Sequence, residues 1–170
     1  MSKQDAVALL EADHKAVQKL FAQEEKAKHD SKKKQSLFNQ IDTALTIHAM
    51  IEEEIFYPAV KKARAEHLKD EVLEGYEEHK QIKEMLKKIA DLTPAEETYD
   101  MKVKVLKEDV EHHVKDEESE MFPHARKFLG EKRLIELGAE LAARKEELEE
   151  NPPSDLARDE ASTSTATAGK

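Results

Sequence analysis

Four histidines and two glutamates, His14, His48, Glu52, His79, His113 and Glu117, stand where the chain otherwise reads as apolar helical stripe. His48 and Glu52 are four residues apart, as are His113 and Glu117. On a helix that spacing stacks an imidazole and a carboxylate on one face and aims both at one point. Taken singly these residues say little, since a lone histidine on an apolar stripe is more often a hydrogen-bonded core residue, and H-x-x-x-E is common in glutamate-rich helices. They do not stand singly. One offset of 65 residues carries His14 onto His79, His48 onto His113, Glu52 onto Glu117 and Pro58 onto Pro123. The flanks agree in kind: "DHKAV" pairs with "EHKQI", and "HAMIEEEIFYP" with "HVKDEESEMFP". Burying four imidazoles and two carboxylates without partners would cost roughly several kcal/mol each. A pair of metal ions bridged by the glutamates removes that conflict. Mixed nitrogen and oxygen ligation suits iron or manganese, admits zinc, and leaves open positions for an exogenous ligand such as dioxygen.

Positioning these groups requires helices, and the periodicity supplies them. Helix one is expected from about Ser2–Asp5 to Lys28, with Val7, Leu10, His14, Val17, Leu20 and Phe21 on one side. Asp30 or Ser31 caps helix two, whose inner positions are Leu37, Ile41, Leu45, His48, Glu52 and Ile55 or Phe56. Pro58 should kink or restart it, because proline lacks an amide hydrogen and crowds the preceding turn. Helix three runs from about Lys69 to Asp91 with Val72, Leu73, Tyr76, His79, Ile82, Leu86 and Ile89 inward. Thr93, Pro94 and Glu96 read as the start of helix four. Its stripe is Met101 or Val103, Leu106, Val110, His113, Glu117 and Met121, and Gly130 ends it. A shorter fifth helix follows from about Lys132 to Glu149, with Leu134, Leu137, Leu141 and Leu148 available for packing. From Asn151 the chain has low hydrophobicity and no helical period, so residues 151–170 are expected to be a disordered tail behind a single domain over 1–150. The fold class is therefore all-α: an up-down-up-down four-helix bundle made by duplicating a helical hairpin, plus a fifth helix.

Composition narrows the chemistry. With 170 residues the chain has room for one core, and 39% charged residues against 5% aromatic favours helices with wet outer faces. A net charge of −10 with no basic stripe argues against nucleic acid and anionic membrane partners. The absence of cysteine excludes disulfides, thiolate metal sites, cysteine-held clusters and a thiol nucleophile, so a metal must be held by nitrogen and oxygen. The beginning, "MSKQDAVALLEADH", lacks the apolar run of a signal peptide or membrane span, and a cytoplasmic protein is expected. No glycine-rich phosphate loop or G-x-S-x-G occurs, against phosphoryl or acyl transfer.

As a set, these residues resemble the hemerythrin-like, or HHE cation-binding, domain family. The pattern is a histidine on helix one, H-x-x-x-E before "FYP", a histidine after an acid on helix three, and H-x-x-x-E before "MFP", over about Leu9 to Phe128. The resemblance implies a bundle around a non-haem centre of two iron ions, bridged by two carboxylates and a solvent-derived oxo or hydroxo group. Carried over by position, the ligands are His14, His48, Glu52, His79, His113 and Glu117. The chain departs from the oxygen-carrying hemerythrins, whose helix three has H-x-x-x-H: around His79 the corresponding positions are Gly75 and Lys83. Water or a nearby phenol, Tyr57 or Tyr76, is the substitute to look for. A His112 register, with Asp116 four residues on and Glu117 five, is conceivable, although repeat and stripe both favour His113 with Glu117. A ferritin-like site is the architectural rival, but its E-x-x-H order and single glutamates do not match.

Other polar residues read more plainly. Glu53, Glu54, Glu118 and Glu120 are expected in solvent, since adjacent helical residues point about a quarter-turn apart. His29 and His67 lie near helix ends, and His124 lies off the stripe. Asp13 and Glu78 precede the single histidines and read as exposed acids that could also accept an imidazole N–H. The function expected is binding of dioxygen or a related small oxidant, for oxygen, peroxide or nitric oxide sensing, binding or detoxification. The alternatives are an iron-responsive regulatory or storage module, with its protein partner unknown, and slow peroxide-consuming or oxidase chemistry.

Overall fold

The computed structural model describes residues 4–63 and 65–154. Among them no strand occurs, and the elements are α1 (Ala6–Ala27), α2 (Ser31–Ile51), α3 (Tyr57–Lys62), α4 (Glu66–Ala90), α5 (Tyr99–Asp116) and α6 (Phe122–Glu150). Two five-residue π-helical turns, Glu52–Phe56 and Glu117–Met121, join α2 to α3 and α5 to α6 without a break. The bundle thus has α1, the α2–α3 rod, α4, and the α5–α6 rod as its four members. Within α6, Gly130 has φ 76° and ψ 163°, a conformation open to glycine, and there the fourth rod ends and the fifth helical segment begins.

Caps and stripes explain most boundaries. Asp5 accepts from the Ala8 amide and Asp30 from the Lys33 amide, which starts α1 and α2. α1 packs on α2 and α4 on α5 as two antiparallel hairpins, and α6 lies against α1 and α2. Buried Leu134, Leu137, Leu141 and Leu148 fix that last helix in place. The core divides into two apolar clusters. One contains Leu10, Ile51, Phe56, Tyr57 and Phe122 with the leucines of α6; the other contains Phe21, Phe38, Ile41, Ile89 and Leu106 toward the hairpin turns.

Two expectations are corrected, over the start of α5 and over Leu73, and the choice between Met101 and Val103 is settled. Each rod runs on through its proline, Pro58 or Pro123, which stands at the start of the α-helix that follows a π-helical turn. In each case the π-helical turn just before the proline widens the helix, with the Tyr57 amide bonding to the Glu52 carbonyl and the Phe122 amide to that of Glu117. Thr93, Pro94 and Glu96 do not open a helix; Glu96 accepts from the Thr93 amide in a turn, and α5 begins at Tyr99. Leu73 faces outward, because the inner row of α4 runs through Leu68, Val72, Gly75, His79, Ile82, Leu86 and Ile89. Of Met101 and Val103, Val103 is buried and Met101 is exposed. In the tail, residues 155–170 lie outside the described residues. No described helix is long and apolar enough to cross a membrane.

Candidate metal centre

All six residues singled out by the repeat meet between the rods, and none is more than 5% exposed. α1 brings His14, α4 brings His79, and the histidine and glutamate of each H-x-x-x-E pair flank the junction between an α-helix and its π-helical turn. That turn starts at Glu52 in one rod and at Glu117 in the other, so the wider backbone occurs where the carboxylates enter the core. The donors sort into two overlapping groups, His14, His48, Glu52 and Glu117, and Glu52, His79, His113 and Glu117. Each group has ligand atoms within 4.8 Å of one another. Both glutamates belong to both groups.

The imidazoles are held from outside by a second ring of carboxylates. His14 Nδ1 is 2.9 Å from Glu118, His48 Nδ1 is 3.3 Å from Asp13, His79 Nδ1 is 2.9 Å from Glu53 and His113 Nδ1 is 2.6 Å from Glu78. An ionised carboxylate only accepts, so each Nδ1 donates and each neutral ring turns a bare Nε2 inward. Burial pushes Asp13, Glu53 and Glu78 up, but their histidine partners, with Lys145 beside Asp13 and Lys83 beside Glu53, outweigh it and hold all three below the usual carboxylate range. The expectation that Glu53 and Glu118 are merely solvated is thus corrected. Glu54 does face outward, to Arg144, and Glu120 is exposed.

The inner atoms call for a cation. His14 and His48 bring their Nε2 atoms within 3.2 Å, as do His79 and His113. Two bare lone pairs at that distance repel unless a proton or a metal ion lies between them. Both oxygens of Glu52 and Oε2 of Glu117 are buried without a hydrogen-bond partner among the described residues, although Nε2 of His48, His79 and His14 stand 3.1–3.2 Å from them. Converging lone pairs of this type are what a binuclear nitrogen and oxygen site presents. Without metal, protons take the place. Burial lowers His48, but the Glu52 charge beside it and the bond to Asp13 raise it well above the usual value. Burial lowers His79 too, and Glu52 and Glu53 outweigh it, to about 9. Burial raises Glu52, while His48 and His79 more than reverse this and hold it well below the carboxylate range.

The helix-three position left by Gly75 is taken by a phenol. Tyr57, fully buried, donates its hydroxyl to Glu117 Oε1 at 2.7 Å and lies 3.3 Å from His79 Nε2, its ring stacked on that of His79. A Cβ on residue 75 would stand 2.6 Å from the Tyr57 hydroxyl, so only glycine leaves the space. Tyr76 is not the substitute, since its hydroxyl reaches the Glu53 carbonyl instead. The duplication places Phe122 opposite Tyr57, and Phe122 stacks on His14 in the same way, without a hydroxyl. The alternative register is also resolved: the His112 side chain is 66% exposed and points away from the core.

Comparisons with known proteins agree with this geometry. A crystal structure of a Mycobacterium kansasii protein described as containing a hemerythrin HHE cation binding domain superposes with a TM-score of 0.77 over 91% of this chain and 98% of that one, at 25% identity. A DNA nickase of Nostoc sp. is 31% identical over 150 residues; the match takes in 88% of this chain but 41% of that protein, so the chain spans less than half of that relative's length. The model of the hemerythrin HHE cation binding domain matches residues 5–125. Bundle, buried histidine and glutamate cluster and sequence match together make the chain a member of the hemerythrin HHE cation-binding domain family.

Proposed function

We propose that this chain is a cytoplasmic non-haem di-iron protein that binds dioxygen or a related small oxidant such as peroxide or nitric oxide. The observation that carries this reading is the sharing of Glu52 and Glu117 between two groups that each add two histidines. One ion per group would be held by His14 and His48, and by His79 and His113, with the glutamates spanning both. Iron supplies reversible redox change and an open coordination position at such a nitrogen and oxygen site. The chain's own residues do the rest. Glu118, Asp13, Glu53 and Glu78 fix the tautomer and direction of the four imidazoles. Phe56, Phe122, Leu10 and Ile51 pack in the same cluster and keep water out. The burial of all six residues restricts the ligand to a molecule of a few atoms.

Tyr57 favours a second use of the same site. Burial, and then the charges of Glu52 and Glu117, raise its phenol well above the usual value, so it stays protonated. The hydroxyl, 2.7 Å from Glu117, is placed to give a proton as one peroxide is reduced to water and to regain one as a second peroxide is oxidised to dioxygen, which suits slow disproportionation of peroxide. The DNA-nicking activity named for the Nostoc protein is not taken over, since the chain matches under half of that protein and its net charge of −10 would repel a polyanion.

Iron analysis of ferrous-loaded, desalted protein, with absorption spectra recorded anaerobically and then in air, tests the reading. Two irons per chain and a spectrum that changes on admitting air are expected. A chain that keeps no iron, or a loaded spectrum indifferent to air, peroxide and nitric oxide, would overturn it. Oxygen evolution from peroxide that is equal in the wild type and Tyr57→Phe would remove the second use.

A further inference from the structure

The two hairpins treat their outer carboxylates differently. Asp13 and Glu78 are equivalent under the 65-residue repeat, and each gives one oxygen to a histidine Nδ1, Asp13 to His48 and Glu78 to His113. The second oxygen of Asp13 accepts from a cation, Lys145 Nζ of α6, at 2.5 Å. The second oxygen of Glu78, Oε1, is buried and has no hydrogen-bond partner among the described residues. What stands near it is His112 Nε2, at 3.9 Å, too far for a hydrogen bond. That same Nε2 lies 3.3 Å from Asp116 Oδ2. One donor atom from each of Glu78, His112 and Asp116 falls within 4.8 Å of the others.

The first hairpin has no such trio. Its residues equivalent to His112 and Asp116 are Ile47 and Ile51, both buried, on the side that α6 covers. Packing of the bundle therefore does not require an imidazole and a carboxylate at these positions. The half that α6 supplies with an ammonium group has an apolar surround. The other half has a half-open pair of ligands beside an unpaired carboxylate oxygen. An exposed His112–Asp116 pair alone contributes little to stability and leaves Glu78 Oε1 unsatisfied.

We propose that Glu78, His112 and Asp116 form a third cation site, at the surface, for a divalent ion of the borderline class such as zinc or ferrous iron. One imidazole and two carboxylates suit such ions, and water completes the coordination on the exposed side. The ion takes the place that Lys145 Nζ fills beside Asp13. His112 and Asp116 belong to the site alone, so ion uptake there is read at His112 whatever the buried centre holds.

Zinc chloride titrated into the full chain near neutral pH tests this, with ring nitrogen resonances of each histidine followed by NMR and zinc uptake by calorimetry. The expected result is a shift of the His112 Nε2 resonance, and an uptake lower by one zinc in His112→Ala than in the wild type. Asp116→Asn should weaken the same step. An unmoved His112 resonance at saturating zinc, or equal uptake in His112→Ala and wild type, would overturn the proposal. A response at His112 with none at His14, His48, His79 and His113 would uphold the surface site and count against the binuclear reading; the reverse pattern would do the opposite.

Discussion

At the scale of single residues, the inner imidazoles depend on the carboxylates behind them for their direction. Glu118 touches only the outer nitrogen of His14, and its side chain is 39% exposed, so removing it should leave the fold intact. We expect Glu118→Ala to lower metal affinity by about 10- to 100-fold, the usual effect of losing such an orienting partner, with little change in the unfolding midpoint of the metal-free chain. Competition against a calibrated chelator measures the first and urea unfolding the second. These outer carboxylates were only partly legible in the sequence. Residues next to Glu52 and Glu117 point a quarter-turn off the inner stripe, which reads as solvent. Yet a group that bonds Nδ1 of a histidine on a neighbouring helix must lie off the stripe. The signal was available in the repeat itself, since the same offset of 65 relates Glu53 to Glu118 and Asp13 to Glu78. The six inner residues were legible because burial and duplication act on them together.

At the scale of elements, the two hairpins share a plan and differ also beside the centre. Gly75 of the second half faces the hydroxyl of Tyr57 from the first, where the equivalent pair is Leu10 and Phe122. Glycine inside an exposed helix would cost about 1 kcal/mol relative to alanine. At position 75 the sign should reverse, because the new Cβ would meet the Tyr57 hydroxyl at 2.6 Å and its ring carbon at 2.9 Å, with the tyrosine fully buried. We expect Gly75→Ala to destabilise by about 1–3 kcal/mol, the range for overpacking, and to cost less in a Tyr57→Phe background, where the closest atom is gone. Urea unfolding of the four proteins closes that cycle. Tyr57→Phe alone should cost about 1–3 kcal/mol by leaving Glu117 Oε1 without its donor. Neither feature could be read from the sequence beyond the gap at position 75, because which phenol fills it depends on how α3 faces α4. The start of α5 was misread for a related reason. The Thr93 and Glu96 bond exists, but it closes a turn, and the helix waits for Tyr99, whose ring is fully buried.

At the scale of the whole molecule, the buried charges make stability and metal binding respond to pH in opposite ways. In the metal-free chain His79 is raised from 6.5 to about 9 and His48 is also raised, so their protons favour the fold fully below about pH 6.5; the His79 contribution is lost as pH rises through about 9, and that of His48 as pH rises through its own raised value. Glu52 is depressed, so its contribution is present above its unfolded value of 4.5 and is lost as pH falls through its lower folded value. The metal-free protein should therefore be most stable between about pH 4.5 and 6.5 and should weaken steadily toward alkaline pH. A metal ion has to displace the protons of His48 and His79, so its affinity should rise over the same interval in which the metal-free fold weakens. Unfolding midpoints measured in chelator and in saturating metal should accordingly diverge between about pH 6.5 and 9, the metal-bound curve staying level while the metal-free curve falls. Parallel curves would mean that the protons and the metal do not compete for the same inner nitrogens. Proton release on metal binding, read by calorimetry in buffers of different ionisation enthalpy, should fall as pH passes about 9, because the His79 share is by then already gone.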